Sequence, residues 1–382
     1  YNNYKVKQII NFTDVGHLSF DADEGEDKMT AGLKRDGLPP TLENMRIMAE
    51  KYAHSFLEDL EGLHIDTKKI TFPYASDHIP GQIEIIEKLA RKGYAYTTSK
   101  GVYFDTAKFK AYGKLGNINI TGQRAGARIG LDEEKRNPSD FNLWKFDPTL
   151  GWDSPWGKGF PGWHIECSAM IHSLLGEPID IHTGGIEHIP VHHNNEVAQS
   201  EAAFGTTLST FWLHRAHIQV EGSKIAKSVG NVLYLSDIRD KGYDPLVLRY
   251  LFLTAHYRFP SNFSWEAVLN ARNSLRNLKQ RLQDLGKPGT AVCPERYKKR
   301  FLERINDDLD TPGALAVVWD MVRDTTLSPE EIVAGVLDAD RILGLDLAHT
   351  KRDVMGITLR EVVHIDNMPE EMRALVPQRE EA

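Results

Sequence analysis

Sulfur is scarce in this chain: 382 residues include two cysteines, Cys167 and Cys293. A disulfide framework is excluded on that count, and a reducing, cytoplasmic setting is expected. No run approaches the roughly 18 apolar residues that a membrane-spanning helix needs, so no membrane partner is expected. The first residues carry no secretory signal pattern. Neither the G-x-x-x-x-G-K-[ST] phosphate loop nor the G-x-G-x-x-G fingerprint occurs, which disfavours the ordinary P-loop and dinucleotide folds. Low-complexity tracts and internal repeats are absent too. Positive charge is not in excess, for the formal net charge is −8; any nucleic acid must be met by local basic patches. What remains is a globular composition, 41% hydrophobic and 26% charged, in a chain long enough for two or three domains.

Periodicity organises the chain. "YKVKQIINFTD" reads as a strand from Lys5 to Asn11. Thr41 caps a helix whose apolar stripe runs Met45, Met48, Tyr52, Phe56 and Leu60. A second helix ends at Gly93, and "YAYTTSKGVYFD" reads as a hairpin. Residues 110–150 read as loop-rich. From Trp163 the pattern alternates: helix "GWHIECSAMIHSLLG", strand "IDIHTGG", helix "HHNNEVAQSEAAFG", strand "FWLHRAHIQV". That alternation predicts a parallel sheet with crossover helices, and ligands beyond the carboxyl ends of its strands. After Asp244-Pro245 no further strand is expected. Ser264 caps a helix with the stripe Val268, Ala271, Leu275, Leu278, Leu282 and Leu285, its other face carrying Arg272, Arg276, Lys279 and Arg281. Helices near 296–308, 312–325 and 329–343 follow, with a basic stretch, "RYKKR". Opening inside a strand and stopping inside a helix, the chain reads as the interior fragment of a longer protein.

Three features carry chemistry. In "PVHHNNEVAQSEA", His192 and Glu196 stand one helical turn apart and project to one side. Such a pair is either a solvated helix face or two converging metal ligands. Cys167, about 25 residues upstream in "GWHIEC", is either a small buried hydrophobe or the third ligand of a zinc site with a position left for substrate. "KIAKS", between Gly222 and Gly230, is a solvated basic turn or a mobile pair of ammonium groups for charge developing on a triphosphate. The glycines of "HTGG" permit close backbone approach by a nucleotide, a weak signal alone. Cys293, in a Pro/Gly loop, reads as inert.

In chain order, "NFTDVGHL", "KGYAYTTSKGVYFDTAKFKAYGKL", "GARIGLDEEKRNPSDFNLWK", "SPWGKGFPGWHIECSAM", "DIHTGGIEHIPVHHNNEVAQSEA", "KIAKSVGN" and "DPLVLRYLFLTAHYR" resemble the class I aminoacyl-tRNA synthetases, and among them the cysteinyl-tRNA synthetases. "PGWHIECSAM" is the most specific block, and the resemblance runs nearly end to end. It implies an α/β fold: a class I synthetase Rossmann-like parallel sheet with an inserted connective domain and a C-terminal α-helical bundle. The implied domains are 1–32, the remnant of the first half of the nucleotide-binding fold; 33–150, the connective insertion; 151–245, the second half with the zinc site and the KIAKS loop; and 246–382, the helical stem-contact and anticodon-binding region. The implied activity is ATP-dependent activation of cysteine and its transfer to tRNA(Cys), with Mg²⁺ accompanying ATP and one Zn²⁺ per chain, in a cytoplasmic monomer.

Residue by residue, the resemblance implies Cys167, His192 and Glu196 as zinc ligands, the family's fourth being a cysteine upstream of Tyr1. Zinc would read the substrate thiol, so no editing site is needed. Trp163, Thr13 and Glu187 would lie near the substrate's amino and carboxyl groups. His182, Gly184 and Gly185 would line the adenylate pocket. Lys227, supported by Lys224, would contact the ATP phosphates. Departures are plain. The H-x-G-H segment is missing, Asp14 of "DVGH" standing where its first histidine would; Ile225 and Ala226 replace Met and Ser; Glu187 stands where Asp is usual. The polypeptide by itself is therefore expected to be inactive or nearly so. Two alternatives stay open: a cysteine ligase paralogue acting on an amino sugar, and a non-catalytic paralogue that binds tRNA or zinc.

Overall fold

The computed structural model describes residues 4–15, 28–118, 134–224 and 232–349. They form two compact units, one of residues 4–60 and 66–217, the other of 61–65 and 218–349.

The larger unit opens with β1 (Gln8–Ile9), paired in parallel with β2 (Ile70–Thr71). Between them run α1 (Lys28–Arg35) and α2 (Leu42–Gly62). Thr41 caps α2 as expected, accepting from Asn44 N at 3.1 Å. The buried face of α2 is Met45, Met48, Ala49 and Ala53; Tyr52 and Phe56 are 51% and 40% exposed, so the stripe read from the sequence is rotated. Small alanines let the helix approach its support, and Phe56 instead meets Phe12 edge-on.

Helix α3 (Ile79–Arg91) stops at Gly93, whose φ of 79° suits glycine. The expected hairpin follows as β3 (Ala95–Thr97) and β4 (Gly101–Phe104), but it does not end there. β5 (Phe141–Phe146) and β6 (Gly159–Pro161) extend it to a four-stranded antiparallel sheet. β5 escaped the sequence reading, which took 110–150 for loop. Its run "FNLWKF" has no apolar/polar alternation, because both faces of Phe141–Trp144 are covered.

This sheet supports the next two helices, α4 (Trp163–Leu174) and α5 (Asn194–Phe204). One core joins Ile85, Ile86 and Leu89 of α3, Phe104, Leu143 and Trp144 of the sheet, Ile165 and Ala169 of α4, and Ala198 and Ala202 of α5. Each large side chain buried there contributes about 1.5–3 kcal/mol. Gly162 brings α4 onto the sheet: a Cβ there would stand 2.0 Å from Asn142 O. β7 (Ile179–Gly185) and β8 (Ser209–Arg215) form the expected parallel pair, with α5 between them in sequence.

In the smaller unit, β9 (Ile218–Val220) lies between β10 (Ser223–Lys224) and β11 (Ser261–Phe263). "FWLHRAHIQV" is thus two strands in two sheets, not one. β11 is a strand where none was expected; its three residues are too few for a periodic signal, and they pair in parallel with β9. Among the described residues six helices follow β10: α6 (Leu235–Asp240), α7 (Pro245–Leu253), α8 (Trp265–Leu285), α9 (Glu295–Asn306), α10 (Thr311–Arg323) and α11 (Pro329–Leu343). Asp244, Ser264 and Ser328 cap α7, α8 and α11 through their side chains. Val268, Ala271, Leu275, Leu278 and Leu282 face a core shared with Val318, Val336 and Leu343.

The basic residues do not all face solvent. Lys279 is only 3% exposed, so the polar face read for α8 is interrupted there. Along α9, Arg296, Arg300 and Arg304 pair with Asp324, Asp320 and Asp310. The one-turn spacing of the arginines turns part of the basic stretch into a seam against α10 and its flanks. Among the described residues no helix is long and apolar enough to cross a membrane.

Candidate metal centre

The α4 helix begins at Gly162-Trp163, which places Cys167 on its second turn. Across from it, α5 is preceded by one π-helical turn, Ile189–His193. That rare turn, frequent at functional sites, presents His192 toward α4. Glu196, one turn on, points the same way. The two helices are joined inside the core by Gln199 Nε2, which donates to His164 O at 2.5 Å and Ser168 Oγ at 2.7 Å, and by Ser200 Oγ to Ser168 Oγ at 2.6 Å.

Cys167 Sγ lies 3.8 Å from His192 Nε2, and that nitrogen lies 2.7 Å from Glu196 Oε1. The three ligand atoms are all within 4.8 Å of one another. His192 Nδ1 is engaged by His164 Nδ1 at 2.8 Å, which leaves Nε2 for the cluster. Trp163 packs on the His192 ring with centroids 4.2 Å apart. On the far side of Glu196, His182 Nε2 meets Oε2 at 2.8 Å. His182, His193 and Glu196 form a second convergent group through the shared carboxylate. His193 Nδ1 in turn meets His214 Nε2 at 2.8 Å.

The electrostatics follow from burial and these contacts. Burial, then the neighbouring Glu196 and Glu166 carboxylates, push the Cys167 thiol well above its ordinary value. Burial alone would raise Glu196 too, but the imidazoles of His182 and His192 hold it well below the usual carboxylate range. Burial opposes a charge on His182, yet Glu196 raises it. Burial pushes His193 down to about 3 and also lowers His188 and His214. Burial thus disfavours charge on His188, His193 and His214, while Glu196 favours it on His182.

These residues fit a soft divalent cation. Glu196 Oε1, fully buried, stands close to His192 Nε2 but has no hydrogen-bond partner, and leaving such an oxygen unsatisfied is costly. A cation held by Sγ, Nε2 and Oε1 would satisfy it and would draw the thiol to its thiolate. Thiolate, imidazole and carboxylate are together the donor set of zinc.

The other residues singled out from the sequence are distributed as follows. Trp163 is in the cluster. His182 is brought to Glu196, with its ring 4.9 Å from that of Trp212. Gly184 lies against His193 and His188, where a Cβ would meet ring atoms at 2.6 and 2.8 Å. Gly185 is as close to the Glu187 carboxylate, which is half-exposed and 3.5 Å from His217 Nδ1. Thr13 Oγ1 accepts from Asn11 Nδ2 at 3.3 Å. Its neighbour Asp14 is buried and accepts from Ser76 N at 2.9 Å and Ser76 Oγ at 2.5 Å. Asp14 of "DVGH" thus ties the segment after β1 to the one-turn helix Ala75–His78. Lys224 ends β10 in the smaller unit; Lys227 lies outside the described residues. Cys293 is apart, its Sγ 3.8 Å from Pro294 O. Sequence reasoning missed His164, although its place three residues before Cys167 on one helix put it on the same side. It also missed His193 and His214, for which no spacing gave a signal.

Comparison with known proteins follows the same lines. Residues 1–273 match the family described as tRNA synthetases class I (C) catalytic domain. The chain is 42% identical to cysteine–tRNA ligase 1 of Burkholderia lata, over 100% of this chain and 78% of that protein. It is 37% identical to the cysteine–tRNA ligase of Treponema denticola, over 99% and 81%. With that of Thermus thermophilus it shares 42% over 84% and 68%. In fold it is similar to Mycobacterium tuberculosis methionyl-tRNA synthetase bound by methionyl-adenylate, with a TM-score of 0.57 at 16% identity, over 93% of this chain and 85% of that one.

Proposed function

The chain belongs to the class I tRNA synthetases of the cysteine branch, and from that premise we propose that a zinc ion held by Cys167, His192 and Glu196 selects its substrate. The protein is a ligase that joins cysteine to tRNA at the expense of ATP. The relatives named for tRNA ligation give no support to an amino-sugar acceptor or to a non-catalytic role. The observation that carries the zinc reading is the convergence of Sγ, Nε2 and the orphaned Oε1 within 4.8 Å.

A zinc held by Cys167, His192 and Glu196 would supply a position for the substrate thiol as thiolate, a bond that the hydroxyl of serine would not match. The protein's own groups prepare that contact. His164 holds His192 in the tautomer that offers Nε2. Glu196 supplies the balancing negative charge. His182 orients Glu196; with its Nε2 2.8 Å from Oε2, we assign it to the carboxylate rather than to the adenylate pocket. The Trp163 ring covers His192 and keeps water from that side, near the substrate's amino and carboxyl groups together with Thr13 and Glu187. Gly184 and Gly185, at the carboxyl end of β7, give the nucleotide close approach to backbone. Lys224 and Lys227 stabilise charge on the triphosphate, with Mg²⁺ accompanying ATP. The tRNA contacts fall to the helical region after 246, in a cytoplasmic monomer whose domains divide at 32, 150 and 245.

The test is Cys167→Ser. Zinc content should fall from one per chain toward none, and the preference for cysteine over serine in equilibrium binding should collapse. Unchanged zinc stoichiometry would sink the assignment.

A further inference from the structure

The π-turn that presents His192 is not held by its own helix alone. Asn194 Nδ2 donates to Ile189 O at 2.6 Å, closing the turn on itself, and to Leu115 O at 3.0 Å. Tyr112 OH donates to Asn195 Oδ1 at 2.5 Å. Gly116, with φ of 75°, lies directly under Ile189, where a Cβ would stand 2.4 Å from Ile189 Cγ2. Three successive contacts from residues 112–116 thus fall on residues 189–195, between which lie His192 and, next, Glu196. Asn194 and Asn195 are both buried, so their amides are committed to these partners. The 112–116 segment is anchored behind: Tyr112 packs on the core that the antiparallel sheet shares with α4 and α5.

We propose that Tyr112, with the backbone at Leu115 and Gly116, is a positioning clamp that sets the metal affinity and cysteine affinity of the site. This rests on the reading of Cys167, His192 and Glu196 as metal ligands. A π-turn has a competing α-helical register, in which the His192 side chain would rotate away from Cys167 and Glu196. The clamp selects the π register by holding Ile189, the first residue of the turn, and Asn194 and Asn195, just past its last. Tyr112 stands outside the ligand cluster and acts through Asn195.

The experiment compares the full chain with Tyr112→Phe and, as a control, Tyr96→Phe. Tyr96 is a buried tyrosine of the antiparallel sheet whose hydroxyl bonds Asp140 at 2.8 Å and Arg136 N at 3.0 Å, and among the described residues its contacts lie away from the π-turn. Zinc affinity is measured by chelator competition, the affinities for cysteine and for ATP by equilibrium binding, and stability by urea unfolding. Tyr112→Phe should weaken zinc binding about tenfold, the order found when a ligand's outer partner is removed. It should raise the Kd for cysteine by a similar factor and leave the Kd for ATP unmoved, whereas Tyr96→Phe should lower the unfolding midpoint without changing zinc affinity. Zinc affinity in Tyr112→Phe within about twofold of the unmutated protein would overturn the proposal, as would parallel losses of zinc affinity and stability in both variants. A zinc-free unmutated protein would overturn the site assignment and the clamp together; a zinc-binding one indifferent to Tyr112 overturns only the clamp.

Discussion

Replacing Glu196 by Gln removes one charge from the centre of the cluster with almost no change in shape. Glu196 is fully buried, 2.8 Å from His182 Nε2 and 2.7 Å from His192 Nε2. At an effective dielectric of about 20, a carboxylate and an imidazolium 2.8 Å apart attract by about 6 kcal/mol before desolvation is subtracted. Stranding one member of a buried pair costs about 3–5 kcal/mol. Here His182 can shed its proton, because without Glu196 the cause that raises it is gone and burial disfavours its charge. The zinc-free protein should therefore lose about 2 kcal/mol, the scale of one impaired buried hydrogen-bond network. Zinc affinity should fall further, by at least about 100-fold, since a ligand and not an outer partner is changed. Urea unfolding with chelator present reads the first quantity, and competition titration the second. Wild-type zinc affinity in Glu196→Gln would refute the ligand role. A zinc-free variant unfolding at the wild-type midpoint would refute the claim that the carboxylate anchors His182.

Two further outcomes concern the helical unit. Arg249 donates to Leu343 O at 2.6 Å and to Leu63 O at 2.8 Å; Arg249→Ala leaves both carbonyls short of a donor and should cost about 2–4 kcal/mol in urea unfolding, a loss under 1 kcal/mol counting against it. Asp324 is lowered to about 2 by bonds from Thr326 and Tyr297, with Arg296 beside it. A depressed carboxylate stabilises the fold above its unfolded value near 3.8, and that stability is lost as pH falls through about 2. Asp324→Asn should therefore flatten the stability profile between those values, and an unchanged acid limb would show that the cluster does not contribute.

Much of this molecule is local and therefore readable in one dimension. Thr41, Asp244 and Ser264 marked helix starts because a cap needs only its own next turn. The stripe of α8 marked its core face because a helix repeats every 3.6 residues whatever it packs against. His192 and Glu196 were visible as a pair for the same reason, and Cys167 as their companion by its residue type. Family resemblance assigned the pair to zinc and His182 to the adenylate pocket; that His182 Nε2 also reaches Glu196 could be seen only in the fold.

What only the tertiary structure decided are matters of convergence between elements distant in sequence. Strand β5 stays hidden in the sequence because burial on both faces erases its alternation. The seam of Arg296, Arg300 and Arg304 depends on acids of α10 and its flanks, so their charge could not be known to be spent. His164 reaching His192, His193 reaching His214, and Tyr112 reaching Asn195 each cross between elements. Spacing along a chain determines which side chains share a face, whereas which faces meet is determined by how the whole core packs.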